Sequence, residues 1–162
     1  MSDHVVDTNV LLVASAADLR SPFGDTHVPA NERKVVLDWL SAFRNGGESL
    51  VVDNSFRIYN EYRNKLTDQD FGLHVVHEKM TKSNFRQARV DYQEDGTAII
   101  PDDLAELDRS DRKFLAAALA DSGRSSIVNA TDTDWLAVEE PCRRHGVVVE
   151  QLIGDWLRKE KG

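Results

Sequence analysis

Aspartates stand at the ends of several short apolar runs in this chain, where their carboxylates could hold a divalent cation. Asp7 ends the first run, Asp53 ends the second, and Asp132 and Asp134 closely follow a later one. Because parallel strands point their carboxyl ends to the same edge of a sheet, we expect these acids to lie along one edge. A single aspartate after a strand is ordinary turn chemistry, so the prediction rests on the set.

Two further acids lie on predicted helices. Glu61 stands at the border of an apolar stripe, and a surface pair with Lys65 is the alternative interpretation. Asp111 lies one turn before Leu115, on the inward face of its helix, and a capping box with Asp108 is the alternative. Both are therefore candidates to face the strand-end acids.

Four of these carboxylates would repel one another if they converged: Asp7, Glu61, Asp111 and Asp132. Like charges raise one another's pKa, and a divalent cation relieves that repulsion. Ligands that are all oxygens favour Mg²⁺ or Mn²⁺ over zinc, and no Cys/His pair has zinc-site spacing. One or two such ions can bind a phosphate, activate a water and stabilise the leaving oxygen of a phosphodiester.

Strands alternate with helices along the chain, which predicts a three-layer α/β/α domain with a mainly parallel central sheet. The predicted strands are the short β-branched runs 4–7, 49–53, 97–100, 126–130 and 147–151. The predicted helices carry apolar stripes over 35–43, 58–66, 114–119 and 152–159. Ser55 is the expected N-cap of the second of these helices.

The length of 162 residues predicts one domain spanning 1–162. Residues 15–31 hold two prolines and a glycine and predict a loop around a short helix. Residues 67–95 predict one or two helices. The longer segment 67–107 has no motif that we can match, and we interpret it as a variable, insert-like segment.

Composition narrows the class of protein. The chain is 41% hydrophobic, which excludes a disordered protein, and a single cysteine, Cys142, excludes an internal disulfide. A lone thiol fits a reducing compartment, and we expect a structural role for it. No apolar stretch approaches a membrane span, and no basic region precedes the first apolar run. We therefore expect a cytoplasmic protein with no signal peptide and no membrane contact.

The net charge of −8 disfavours binding to nucleic acid by overall charge, so such binding would need local patches or bridging metal ions. Four cations recur every three or four residues and predict one basic helix face, either a phosphate track or a solvated face: Lys79, Lys82, Arg86 and Arg89. The predicted contacts to substrate phosphates flank the acids: Arg57, Arg63, Arg109, Arg112 and Lys113.

Four stretches, in order along the chain, resemble the motifs of the PIN domain family, which includes the PIN toxins of bacterial toxin–antitoxin pairs. They are residues 5–12 (VVDTNVLL), 60–63 (NEYR), 111–118 (DRKFLAAA) and 129–135 (NATDTDW). The resemblance implies a parallel sheet with helices on both faces and a metal-dependent ribonuclease site.

The resemblance also assigns residues. It implies an acidic quartet of Asp7, Glu61, Asp111 and Asp132 that holds the metal and performs catalysis. It makes Asp134 a possible fifth ligand, and Thr8 and Asn9 supporting polar groups. Ala130 stands where the family usually has Ser or Thr, which leaves Asp134 as a rival of Asp132.

The predicted reaction is the hydrolysis of RNA phosphodiester bonds by metal-activated water. Asp7, Asp111 and Asp132 would hold Mg²⁺ or Mn²⁺, and Glu61 would complete its shell or orient the water. An antitoxin protein and a second copy of the chain are possible partners beside the RNA substrate.

Three alternatives stay open. One is a PIN-like module that binds RNA or a protein without cutting. Another is a different α/β protein with an acid pocket, such as a phosphohydrolase or a receiver domain. Asn9 disfavours an aspartate-nucleophile phosphohydrolase, which normally has a second acid at that position. The third is an interaction module whose acids only cap helices and form turns.

Overall fold

A computed structural model describes residues 3–17 and 27–162. Its strands are β1 (Asp3–Val6), β2 (Leu50–Asp53), β3 (Phe85–Ala88), β4 (Ser125–Asn129) and β5 (Val149–Gln151). They form one sheet in the order β3-β2-β1-β4-β5, and every neighbouring pair is parallel. The three inner strands are almost wholly buried, as expected for a parallel sheet that is covered on both faces.

The described helices alternate with these strands and flank the sheet, which confirms the predicted three-layer α/β/α fold. They are α1 (Thr8–Ala17), α2 (Ala30–Asn45), α3 (Arg57–Lys65), α4 (Phe71–Thr81), α5 (Arg112–Ala120), α6 (Asp134–Ala137), α7 (Glu139–Arg144) and α8 (Gly154–Lys161). Helices α1, α2 and α4 pack on one another, and α5 packs on β1, β2 and β4. None of the described helices is both long and apolar enough to cross a bilayer.

Pairing between the first and fourth strands sets the position of the site. In the register of β1 with β4, Val5 faces Ile127 and Val6 faces Val128. The residues that follow these strands therefore emerge side by side at the carboxyl edge of the sheet. This edge brings together parts of the chain that are more than 100 residues apart in sequence.

One strand prediction was wrong, and one strand of the sheet was not predicted. Residues 97–100 are not a strand: only Ala98 makes an isolated bridge, with Tyr92, and Ile99 is 53% exposed. The strand that was not predicted is β3. Its sequence is polar because it lies at the edge of the sheet, where a strand is only partly buried. The other four strands were predicted within one or two residues of their ends.

The predicted basic helix face does not exist, because α4 ends at Thr81. The cations concerned lie in α4, at its end, in β3 and just beyond it: Lys79, Lys82, Arg86 and Arg89. Lys79 is buried and donates hydrogen bonds to the carbonyl oxygens of Gly46 (3.1 Å) and Glu48 (2.6 Å). Arg86 pairs with Asp3 and Asp121. Neither of these two cations is free to bind phosphate.

The structure describes only part of the predicted loop 15–31 but all of the insert-like segment 67–107. Residues 15–17 belong to α1 and residues 30–31 to α2, while 18–26, the middle of the predicted loop, lie outside the described residues. Residues 67–107 contribute α4 and the edge strand β3 to the fold.

Candidate metal centre

Asp7 lies between β1 and α1, and it is 5% exposed. Its backbone N–H donates to the carbonyl oxygen of Val128 on β4 (3.1 Å), which continues the sheet by one residue. The carboxylate accepts two hydrogen bonds, from the backbone N–H of Asn9 (3.0 Å) and from the indole N–H of Trp135 (2.8 Å). Each carboxylate oxygen accepts one of them, so the orientation of the group is fixed.

Three aspartates meet at this edge. Asp7, Asp111 and Asp132 each offer one carboxylate oxygen, and these oxygens all lie within 4.8 Å of one another. We call these residues the acidic trio. Asp111 ends a 3₁₀ turn that leads into α5, and Asp132 lies in the turn after β4. An octahedral Mg²⁺ binds oxygens at about 2.1 Å, so small side-chain rotations would let all three share one ion.

The electrostatics of the trio favour the binding of a cation. Burial, with smaller contributions from the charges of Asp132 and Glu61, raises the pKa of Asp7 to about 6 against the opposing effect of its hydrogen bonds. Burial also raises the pKa of Asp111 well above its usual range, with added contributions from the charge of Asp7 and a hydrogen bond with Asp132. Asp7 and Asp111 therefore keep their protons to a higher pH than ordinary aspartates do, and a divalent cation would displace these protons.

The side-chain amides of Asn9 and the buried Asn129 hold the turn that carries Asp132. The side-chain oxygen of Asn9 accepts from the backbone N–H groups of Ala130 (2.9 Å) and Thr131 (3.2 Å). Asn9 also donates to the side-chain oxygen of Asn129 (2.9 Å), and Asn129 in turn bonds both backbone groups of Asp132. The predicted supporting role of Asn9 is thus exerted on the backbone, and the missing hydroxyl at Ala130 is not needed for it.

Glu61 on α3 lies beside the trio but is not part of it. Its carboxylate accepts hydrogen bonds from the Thr8 hydroxyl and from the Lys113 ammonium, the latter at 2.7 Å. Lys113 also donates to the carbonyl oxygen of Ser110. The predicted quartet is therefore arranged as a trio plus one glutamate that already has a cation as its partner. Thr8 supports Glu61 rather than the trio.

Asp134 does not join the trio either. It begins α6, it is exposed, and its backbone N–H donates to a carboxylate oxygen of Asp132 (2.9 Å). Partial burial and the charge of Asp132 raise the pKa of its carboxyl. Between the two rivals, the structure places Asp132 nearer to Asp7 and Asp111.

Asp53 shares the carboxyl edge but caps a helix. Its carboxylate accepts from the first backbone N–H groups of α3, those of Arg57 (3.0 Å) and Ile58 (2.9 Å), and from the Tyr92 hydroxyl (2.7 Å). The prediction that Ser55 is the N-cap was therefore wrong. The side chain of Asp53, four residues before the helix, reaches the free amides instead.

The predicted phosphate contacts divide into two groups. Arg112 donates to the carbonyl oxygens of Leu107 (2.9 Å) and Ala105 (2.6 Å), and Lys113 is bound to Glu61, so both are engaged within the fold. Arg57 and Arg63 are exposed. Arg109, also exposed, lies 3.7 Å from Asp95. The exposed arginines are the ones available to a substrate.

Trp135 was missed as a member of the site. Its side chain is completely buried, and a buried indole N–H needs an acceptor. The position of Trp135, three residues after Asp132, was the signal in the sequence that linked it to an acid of this edge.

This centre joins distant parts of the chain, since Asp7 and Trp135 are 128 residues apart. In comparisons with known proteins, no family model, no curated protein and no solved structure matches this chain. The function of the centre is accordingly inferred from its own geometry and from the motifs that form it.

Proposed function

We propose that this protein is a metal-dependent ribonuclease of the PIN type, which hydrolyses RNA phosphodiester bonds at the acidic trio. The observation that carries the proposal is the convergence of three carboxylate oxygens, from three separate elements, within 4.8 Å at the carboxyl edge of a parallel sheet. The four ordered motifs that resemble PIN domains support the same conclusion, because Asp7, Asp111 and Asp132 each lie in one of them.

The trio has the ligand chemistry that Mg²⁺ or Mn²⁺ prefers, with oxygen donors alone and no cation paired to them among the described residues. Asp7, Asp111 and Asp132 would hold the ion. When bound, it would polarise a phosphate oxygen and make a bound water acidic enough to attack.

The surrounding residues would orient the reactants. Trp135 fixes the carboxylate of Asp7, and Asn9 and Asn129 fix the turn that carries Asp132. Glu61, held by Thr8 and Lys113, is close enough for its charge to act on Asp7 and would accept a hydrogen bond from the attacking water. In hydrolysis the water oxygen bonds to phosphorus, the bond from phosphorus to the leaving oxygen breaks, and that oxygen takes up a proton.

The test is cleavage of single-stranded RNA with Mg²⁺ present or removed by EDTA. We expect Asp7→Asn to lower the rate by more than about a hundredfold, because one metal ligand loses its charge. Asp134→Asn removes the same charge close by but outside the trio, and we expect its rate to stay within a few-fold of the parent rate.

Retained cleavage in Asp7→Asn, with an unchanged circular dichroism spectrum, would refute this assignment. RNA binding without cleavage in the parent protein would instead favour the alternative of a non-catalytic PIN-like module.

Location and partners are further parts of the proposal. Burial raises the pKa of the Cys142 thiol to about 11, so it stays protonated, as suits a structural thiol in a reducing cytoplasm.

If the protein is the toxin of a toxin–antitoxin pair, its expression should arrest growth. A small protein encoded next to it should relieve that arrest. Light scattering of the purified protein tests for a homodimer.

A further inference from the structure

Arg57 and Tyr92 form a stack at the same edge of the sheet as the acidic trio. The guanidinium carbon of Arg57 lies 4.2 Å from the centroid of the Tyr92 ring. Asp53 anchors both members, since its carboxylate accepts from the Arg57 backbone N–H and from the Tyr92 hydroxyl. The stack is thus held by a buried group and does not depend on two surface side chains meeting by chance.

The guanidinium in this stack has no competing partner. Arg57 is exposed, and no carboxylate among the described residues lies within ion-pair distance of it. Gly96 lies beside the guanidinium, and a side-chain Cβ at this position would come within 3.1 Å of one of its nitrogens. Gly96 has a φ of 87°, which favours glycine, so the turn leaves room for the guanidinium.

The stack lies beside the trio along the sheet edge. Tyr92 follows β3, Arg57 follows β2, and Asp7 follows β1, in the order of neighbouring strands. Strands are spaced about 4.8 Å apart, so roughly 10 Å separates the ends of β3 and β1. Arg57 also lies one helical turn before Glu61, on the same face of α3.

We propose that the Arg57–Tyr92 stack is a base-binding platform, on which an unpaired base of the RNA strand stacks while a nearby phosphate of that strand lies at the trio. This inference rests on the proposed ribonuclease function and names its substrate as single-stranded RNA. Unpaired bases stack on guanidinium planes and aromatic rings, and this stacking tolerates any base. In this proposal Arg57 contacts the face of a base, whereas the sequence analysis predicted that it contacts a phosphate.

Arg57→Lys separates these two roles, because it keeps the positive charge and loses the plane. We expect Arg57→Lys to raise the KM for a single-stranded RNA about tenfold with kcat nearly unchanged. Arg143→Lys makes the same exchange at an exposed arginine of α7 that pairs with Glu140, and it serves as the control.

A substrate with one abasic position completes the test. Moving the abasic position along the strand should find one at which the KM of the parent protein rises about tenfold, while Arg57→Lys shows no further rise there. Equal effects of the abasic position in both proteins would overturn the platform. A normal KM in Arg57→Lys, together with a raised KM in Arg57→Met, would identify Arg57 as a phosphate contact and would overturn it as well.

Different results would refute the ribonuclease function and the base-binding platform. If the parent protein does not cleave RNA with Mg²⁺, the ribonuclease proposal fails, and the platform fails with it. If the parent protein cleaves RNA but the abasic position affects the parent and Arg57→Lys equally, only the platform fails. The same holds if the parent cleaves RNA while Arg57→Lys has a normal KM and Arg57→Met a raised one. Thermal unfolding of each variant shows whether it is folded.

Discussion

The two ends of β1 contrast in how they treat charge. At its amino end, His4 is buried and lies 3.0 Å from Glu48 and 3.2 Å from Glu150, so opposite charges meet. At its carboxyl end, Asp7 meets two more carboxylates and no cation. Paired charges stabilise a fold, whereas gathered like charges destabilise it unless a ligand compensates. The contrast indicates a structural amino end and a functional carboxyl end.

The amino end is a closed arrangement. The His4 ring contacts Trp39 and Phe43 edge-on, at 5.2 and 5.4 Å between centroids, and hydrogen-bonds the Ser126 hydroxyl (2.8 Å). Burial lowers the pKa of His4, but Glu150 and Glu48 outweigh this effect and raise it overall. Both nitrogens of the ring therefore have partners within the fold, and these include two carboxylates, whereas the trio has no cation as a partner among the described residues.

The largest effect should come from Asp111→Asn, which alters the functional end alone. We expect RNA cleavage to fall by more than about a hundredfold. We also expect the metal-free protein to become more stable at neutral pH by about 1–2 kcal/mol, because folding no longer has to raise the pKa of a carboxyl at this position. Chemical unfolding in EDTA measures the second effect, with Asp108→Asn as the control outside the trio. A destabilised Asp111→Asn protein would mean that the trio is not under charge strain.

Trp135→Phe should have the next largest effect, because it removes the indole N–H that orients Asp7. We expect cleavage to fall roughly 10- to 100-fold, as for other residues that orient a metal ligand. The control is Trp156→Phe on α8, where the ring contacts His27 and no member of the trio. Equal activities of the two variants would show that the hydrogen bond to Asp7 is not needed.

Metal addition should stabilise the functional end by mass action. At a Mg²⁺ concentration of 100 times its Kd, the free energy of unfolding should rise by about 2.7 kcal/mol. The same response is expected in His4→Gln, which changes only the amino end of β1, and it should vanish in Asp132→Asn. Thermal unfolding with and without EDTA measures it. A response that survives in Asp132→Asn would place the ion elsewhere.

The smallest effect concerns the pH dependence of the amino end. Because the folded pKa of His4 is raised, its contribution to stability is fully present below about pH 6.5 and is lost as the pH rises through the raised value. The difference in stability between the parent and His4→Gln should narrow over that range, by no more than about 1.4 kcal/mol per pH unit. Taking the difference removes the titration of Asp7 and Asp111, which both variants share. A difference that does not change with pH would contradict the pairing of His4 with Glu48 and Glu150.

Much of the fold follows from local patterns. The inner strands are continuous apolar runs, and their end positions predicted that Asp7 and Asp132 would meet. The edge strand β3 was not predicted, because its polar sequence lacks the apolar pattern of a buried strand. The spacing of the cations in and around it is also typical of one face of a helix.

The finer arrangement of the site was beyond the reach of local patterns. Whether Glu61 joins the trio depends on Lys113, 52 residues later, and the orientation of Asp7 depends on Trp135. Capping of α3 by Asp53 rather than Ser55 likewise depends on how the chain turns after β2. Side-chain contacts of this kind are decided by the three-dimensional packing, which spacing along the chain does not encode.

The pairing of β1 with β4 has a consequence for protein synthesis. Strand β1 is synthesised well before its partner β4, since Ser125–Asn129 is more than 100 residues behind it in the chain. Until Asp132 and Trp135 have been made, Asp7 lacks both its neighbouring carboxylate and the indole that orients it. A nascent chain therefore carries no assembled centre before this part has been synthesised, and the proposed RNA cleavage could begin only then.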